Sequence, residues 1–248
     1  MQTNDELYIY GKHPVIEMLD AKPKSVKKVF VKENIDKDLR KIIEAKVSKN
    51  NIPFGFIDDN RLRKYVGDVN HQGIVAQIGQ VQFIELGELL DTIDVDKNPA
   101  VVVLDELTDP HNVGAIIRSA TALGVSGIII GKHNQSPISG TVLKTSAGTA
   151  LKIPIVRVSN INAALDALKE KGFWIAGLSM DGSTPLYKQD MNMALAFIVG
   201  SEGSGIRQKT LERADFIIKI PMENKVESLN ASVSTALVLY EWKRAQYK

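Results

Sequence analysis

Residues 100–114 read Ala100-Val101-Val102-Val103-Leu104-Asp105-Glu106-Leu107-Thr108-Asp109-Pro110-His111-Asn112-Val113-Gly114. Five apolar residues run without a break and then give way to acids, a proline and an asparagine. A strand with one wet face alternates apolar and polar residues. A continuous run implies burial on both faces, as in a parallel sheet covered by helices. Four later runs share this character, at 127–130, 173–178, 194–199 and 216–220. Between them lie segments of helical period. Residues 113–123 place Val113, Ile116, Ile117, Ala120 and Leu123 on one stripe, residues 161–171 place Ile161, Leu165 and Leu168, and 229–247 form a long last helix. Residues 99–248 are therefore expected to form an α/β domain on a parallel sheet.

Upstream of this region the character changes. Residues 81–100 carry one basic and five acidic side chains, and 94–99 read as a polar turn, so a linker is placed at 81–98. Residues 1–80 alternate between the two periods. Short helical spacing at 14–19 is followed by a strand at 26–31. A helix over 38–50 carries Leu39, Ile42, Ile43 and Val47, and strands follow at 53–57 and 73–78. A separate α/β domain of about 80 residues follows from this pattern.

Composition narrows the function. The 248 residues are 44% hydrophobic and 24% charged, and none is cysteine, which excludes disulfides, thiolate zinc sites and thiol catalysis. No stretch approaches the roughly 20 apolar residues of a membrane helix. The first residues lack the basic and apolar blocks of a signal peptide, so a cytoplasmic location is expected. The net charge is +2, with 14 basic against 11 acidic groups in 1–80 and 16 against 13 in 101–248. Mild basicity permits a polyanionic partner without requiring one. The four histidines form no metal-binding pattern, and neither a dinucleotide fingerprint nor a P-loop is present.

Ligands of open parallel sheets sit beyond the carboxyl ends of the strands, and three segments there are suited to chemistry. After the 100–104 run, Asn112 opens a helix as a candidate N-cap, and Arg118 lies off its apolar stripe. Arg118 is either a solvated residue or a guanidinium able to grip a phosphate bidentately. After the 194–199 run comes Gly200-Ser201-Glu202-Gly203-Ser204-Gly205, read either as a tight turn or as a loop that admits a ligand to its backbone. The carboxylate of Glu202 disfavours a phosphate ligand and suits a neutral or cationic one. After the 216–220 run, a loop with Pro221, Asn224 and Lys225 leads to Ser228-Leu229-Asn230-Ala231-Ser232, where Ser228 is a candidate N-cap.

Taken together, these segments resemble the three motifs of the SpoU (TrmH-like) branch of the SPOUT RNA methyltransferases. The resemblance rests on Asn112-Val113-Gly114-Ala115-Ile116-Ile117-Arg118, on Ile198-Val199-Gly200-Ser201-Glu202-Gly203-Ser204-Gly205, and on Ile220-Pro221-Met222 followed by Ser228-Leu229-Asn230-Ala231-Ser232. Gly11-Lys12-His13-Pro14 and His71-Gln72-Gly73-Ile74 resemble the ends of an L30e-like substrate-binding domain, so the likeness covers nearly the whole chain. Thr235-Ala236 departs from the Ala-Gly common in the family, and 131–137 is a variable segment.

The resemblance implies an L30e-like N-terminal domain and a SPOUT catalytic domain with a C-terminal trefoil knot. It implies a homodimer in which Arg118 completes the partner's site. It also implies transfer of a methyl group from S-adenosyl-L-methionine to a ribose 2′-hydroxyl of RNA, with a guanosine of 23S rRNA as target and tRNA as the alternative. Gly200, Ile220 and Leu229 are the implied cofactor contacts; Asn112, Arg118, Glu202, Ser228 and Asn230 are the implied catalytic residues; no metal is implied. A guanidinium stays protonated near neutral pH. Arg118 is therefore read as a phosphate clamp, and Glu202 as the group that accepts or orients the hydroxyl proton. Lys12, Arg61, Arg63 and Lys64 are candidate RNA contacts. An RNA-binding protein without turnover is the rival reading; a nucleotide-dependent oxidoreductase is disfavoured.

Overall fold

The computed structural model describes residues 7–79, 81–223 and 228–247. In chain order the elements are β1 (Leu7–Tyr10), α1 (Lys12–Ala21), β2 (Val26–Lys32), α2 (Lys37–Lys49), β3 (Phe54–Ile57), α3 (Asp59–Val66), β4 (Ile74–Ile78) and α4 (Leu86–Asp91). They continue as β5 (Ala100–Asp105), α5 (Pro110–Ala122), β6 (Gly127–Gly131), α6 (Gly140–Thr145), β7 (Ile155–Val158), α7 (Ile161–Lys171) and β8 (Trp174–Leu178). The last are β9 (Thr184–Pro185), β10 (Leu195–Gly200), α8 (Gln208–Leu211), β11 (Phe216–Lys219) and α9 (Ala231–Gln246). Short acceptors mark the helix starts. Asp36, Asp58, Asp109 and Asn160 each accept a backbone N–H of the turn that follows.

The chain divides into two compact units: residues up to Val81 together with Ile138–Lys152, and Gln82–Pro137 together with the chain from Ile153 onward. The first unit has a mixed sheet of order β1-β4-β2-β3, in which β4 runs antiparallel to both β1 and β2 while β2 and β3 are parallel. Along α2 the buried residues are Leu39, Ile43 and Val47, whereas Ile42 faces solvent. Tyr8, Tyr65 and Phe30 stack in series. Residues 138–152, which lie within the second piece by sequence, join this unit through α6 against β1, with Lys144 Nζ 4.3 Å from the Tyr10 ring centre.

The second unit carries a sheet of order β7-β6-β5-β10-β8-β11-β9 with every pairing parallel. The expectation of a doubly buried parallel sheet holds: β5 is buried at all six positions and β10 at its first five. Val101, Val103, Ala196 and Ile198 pack with Leu89 of α4 and Leu165 and Leu168 of α7. Residues 82–98, expected as a linker, are therefore structured within this unit. Glu85 and Glu88 form a capping box for α4, and Ile84 bridges Val156. Elsewhere α9 packs on α5 and β10. Its buried Trp242 donates Nε1–H to the Asn98 carbonyl at 3.1 Å, and Gln246 Nε2 donates to the same oxygen at 3.0 Å. Among the described residues no helix is long and apolar enough to cross a membrane.

Candidate active site

The sheet changes direction of growth between β5 and β10, which is where ligands of open α/β sheets collect. Beyond the carboxyl ends of β8, β10 and β11 lies a cavity of about 470 Å³. Its walls come from four places: Leu178–Asp181 after β8, Val199–Ile206 around the end of β10, Ile218 to Met222 at β11, and Ser228 to Ser234 at the start of α9. Residues 224–227, which include the expected loop residues Asn224 and Lys225, lie outside the described residues.

The loop after β10 has its shape imposed by close packing. Ser201 and Gly205 exchange backbone hydrogen bonds of 3.1 and 3.0 Å, folding the loop back over the strand end. A Cβ on Gly200 would stand 2.2 Å from the Gly205 carbonyl carbon and 2.3 Å from the Ile206 nitrogen. Both are backbone atoms that cannot swing aside, so only glycine fits. Gly205 itself sits at φ +68°, in the left-handed region that glycine enters without cost.

Two capping expectations are corrected here. Asn112 is not the N-cap of its helix: Asp109 is, accepting His111 N–H at 2.9 Å, with Pro110 in the first turn. Asn112 lies inside that turn, buried, and its Nδ2 donates to Glu202 Oε1. Ser228 is likewise not the cap of the last helix. Asn230 is, its Oδ1 accepting from Ser232 N at 2.9 Å, from Ser232 Oγ at 2.6 Å and from Val233 N at 3.4 Å.

Of the sequence-derived site residues, Gly200, Ile220, Leu229, Glu202, Ser228 and Asn230 all line the one cavity. Asn112 joins them through Glu202. Arg118 does not line it and lies exposed on α5, with no acidic partner among the described residues. The candidate RNA contacts Lys12, Arg61, Arg63 and Lys64 are all exposed; Arg63 is engaged by Asp59 and Asp68, and Arg61 lies 3.8 Å from Asp58.

Reading the sequence missed the ion pair that ends the glycine-rich loop. Asp105, fully buried at the end of β5, accepts from Arg207 backbone N at 3.0 Å, from Nε at 2.9 Å and from Nη2 at 2.6 Å. Hydrogen bonding to Asp105 raises the Arg207 guanidinium further above its usual range, against a smaller cost of desolvation. An acid closing an apolar run was the only local signal.

Comparison with known proteins places this geometry. Residues 99–240 match the SpoU rRNA Methylase family, and residues 8–84 match the family described as RNA 2'-O ribose methyltransferase substrate binding. The chain is a member of the SpoU rRNA methylase family. An uncharacterized tRNA/rRNA methyltransferase of Synechocystis sp. is 36% identical over 94% of this chain, which spans 61% of that longer protein. The 23S rRNA (guanosine-2'-O-)-methyltransferase RlmB of Pseudomonas putida is 36% identical, with 94% of each chain covered. The SpoU methyltransferase AviRb of Streptomyces viridochromogenes, solved in complex with the cofactor AdoMet, superposes with a TM-score of 0.79. At 22% identity over 96% of this chain and 90% of that one, this likeness speaks for the fold.

For a SpoU methylase the group to be held is a sulfonium cation carrying adenosine, and the cavity suits it. Its described lining contains two carboxylates, Asp181 and Glu202, and no lysine or arginine. Apolar Leu178, Ile218, Ile220 and Leu229 offer surface for a flat base. A polyphosphate would meet the wrong charge; a cationic, partly apolar ligand meets the right one. The volume lies within the few hundred to ~1,000 Å³ typical of small-molecule sites.

Proposed function

We propose that this chain methylates a ribose 2′-hydroxyl of RNA, with a guanosine of 23S rRNA as its target. The observation that carries the reading is the hydrogen bond from Asn112 to Glu202, which places the carboxylate of a cavity suited to a sulfonium in contact with the helix that bears Arg118. The target follows the relative from Pseudomonas putida, which is named 23S rRNA (guanosine-2'-O-)-methyltransferase RlmB.

S-adenosylmethionine, when bound, supplies a methyl group on positively charged sulfur. Gly200, Ile220 and Leu229 hold it, the glycine by letting the loop fold close. Glu202 orients the 2′-hydroxyl and accepts its proton, so that the oxygen could take a methyl group whose old bonding pair would stay on the sulfur as a neutral thioether. Asn112 fixes one oxygen of that carboxylate, leaving the other for the hydroxyl. Asn230 has its Oδ1 committed to the helix cap, so its Nδ2 is the group it offers a ligand, beside the Ser228 hydroxyl. Arg118 clamps an RNA phosphate adjoining the target ribose.

The same reading assigns the first unit an L30e-like fold that grips structured RNA through Lys12, Arg61 and Lys64. It places a trefoil knot in the C-terminal part of the second unit and the working enzyme in the cytoplasm as a homodimer. Support for the dimer comes from α9, where Val233, Leu237 and Tyr240 repeat at helical spacing on one exposed face, at 47%, 42% and 60% exposure. A partner copy seated there would bring a second Arg118 to the assembly.

The test supplies labelled S-adenosylmethionine with a 23S rRNA transcript or with tRNA and maps the 2′-O-methyl marks. Label at one 23S guanosine is expected. Label in tRNA alone would move the target, and label in neither RNA, from a folded protein, would remove the activity.

A further inference from the structure

The contact of Glu202 with Asn112 depends on a loop that must hold its shape beside a cavity, and one residue secures both ends of that loop. Asp105 is the β5 partner of Gly200 in the strand register. Asp105 also takes three hydrogen bonds from Arg207, the first residue beyond the loop. The remaining Arg207 nitrogen, Nη1, lies 3.0 Å from Glu106 Oε1. Entry and exit of residues 201–206 are thus fastened to the same carboxylate-bearing position. From Asp105 the chain runs on to Asn112, which meets Glu202 inside that loop. Asp105 therefore joins the two segments whose contact makes the site.

The chemistry of the pair fits such a role. The Asp105 side chain is fully buried, where an unpaired carboxylate is strongly unfavourable. The Arg207 side chain is 45% exposed, so Arg207→Gln opens no cavity in the core, and the backbone N–H of residue 207 still gives the buried carboxylate one hydrogen bond. The planar guanidinium meets Asp105 through two nitrogens and Glu106 through a third, which fixes its orientation in a way that a lysine cannot.

We propose that Asp105 and Arg207 are positioning residues for the methyl transfer, acting through Glu202 by clamping loop 201–206. The inference rests on the functional reading of Glu202 given above. Neither Asp105 nor Arg207 lines the cavity.

Hydrogen exchange on the ligand-free protein tests the clamp first. In Arg207→Gln the amides of Ser201 and Gly205, which bond each other across the loop, should exchange about tenfold faster or more, with Val102 in β5 unchanged. Kinetics follow on the full chain with RNA. Arg207→Gln should lower kcat by about 10- to 100-fold, the scale of a small misplacement of a reacting group, while RNA affinity stays within about twofold. Arg207→Lys should fall between Gln and the native residue. In a Glu202→Gln background, Arg207→Gln should cost less than about threefold more, because both act on one step. Unchanged exchange overturns the clamp, and fully multiplicative losses overturn its action through Glu202. A native chain that methylates no RNA while its loop loosens in Arg207→Gln sinks the functional reading and leaves the mechanical clamp standing, so the two failures are told apart.

Discussion

Asn112 Nδ2 donates a hydrogen bond to Glu202 Oε1 across 90 positions of sequence. The bond exists because β5 and β10 are neighbours, paired from Ala100 with Leu195 to Asp105 with Gly200. Whatever follows one strand therefore meets whatever follows the other. If Glu202 takes up the hydroxyl proton, Glu202→Gln keeps the shape and loses the basicity. The expected result is a kcat at least about 100-fold lower, with S-adenosylmethionine still bound by calorimetry. Near-native single-turnover rates in this variant would remove the proton role.

Arg118 stands apart from the cavity and is exposed, so its substitution should leave stability within about 0.5 kcal/mol in urea unfolding. Arg118→Lys keeps the charge and loses the planar fork. Methyl transfer should drop by about tenfold or more if a bidentate phosphate contact is used, since each 1.4 kcal/mol of lost transition-state contact is a factor of ten. Full activity in that variant would refute the bidentate clamp.

Gly200→Ala places a methyl group against backbone at 2.2 Å. Overpacking of this kind costs about 1–3 kcal/mol, and here the strain falls on the wall of the cavity. The native chain should gain about 2.7 kcal/mol of stability at a ligand concentration 100 times Kd. Differential scanning calorimetry with and without S-adenosylmethionine should show that gain in the native protein and its loss in Gly200→Ala.

Asp59 in the first unit has its carboxyl pulled from 3.8 down to about 2, chiefly by a hydrogen bond from Lys32 and next by one from Arg63. A depressed folded-state value means that the stabilisation is present above the unfolded value and is lost as pH falls through the folded one. Asp59 should thus weaken the first unit only between about pH 4 and pH 2. An NMR titration of its carboxyl carbon should show a midpoint near the lower end, and Lys32→Met should move it upward. A midpoint at the ordinary carboxylate value would contradict the pairing.

Leu237 sits in the middle of the exposed α9 stripe between Val233 and Tyr240. If that stripe is covered by a second copy, Leu237→Asp buries a charge at the interface and should shift sedimentation from dimer to monomer. Because the residue is 42% exposed in the single chain, the fold should survive. A variant that sediments as the native protein does would direct attention to another surface.

The parallel sheet was legible because burial on both faces leaves a mark that needs no partner to be seen. Every continuous apolar run, from Val101 to Ile218, became a strand of one sheet. Elements with less internal signal went unread. Leu7–Tyr10 and Ile155–Val158 are only four residues each, and Thr184–Pro185 is two. The capping residues were misplaced by two or three positions, because Asn112 and Ser228 carry the right chemistry and only backbone geometry selects Asp109 and Asn230.

By itself, the order of residues determined the α/β class, the polar and glycine-rich loops at the carboxyl ends of the strands, and a set of motif residues of which six line a single cavity. Periodicity and glycine spacing are local properties, so a linear reading can recover them. Only the tertiary structure decided that Asn112 serves Glu202 in place of a helix cap, that residues 138–152 belong with the first unit, and that Arg207 closes on Asp105 from 102 positions away. Those outcomes depend on which strands become neighbours. Strand order is fixed by packing of the whole sheet, and no short stretch of sequence contains it.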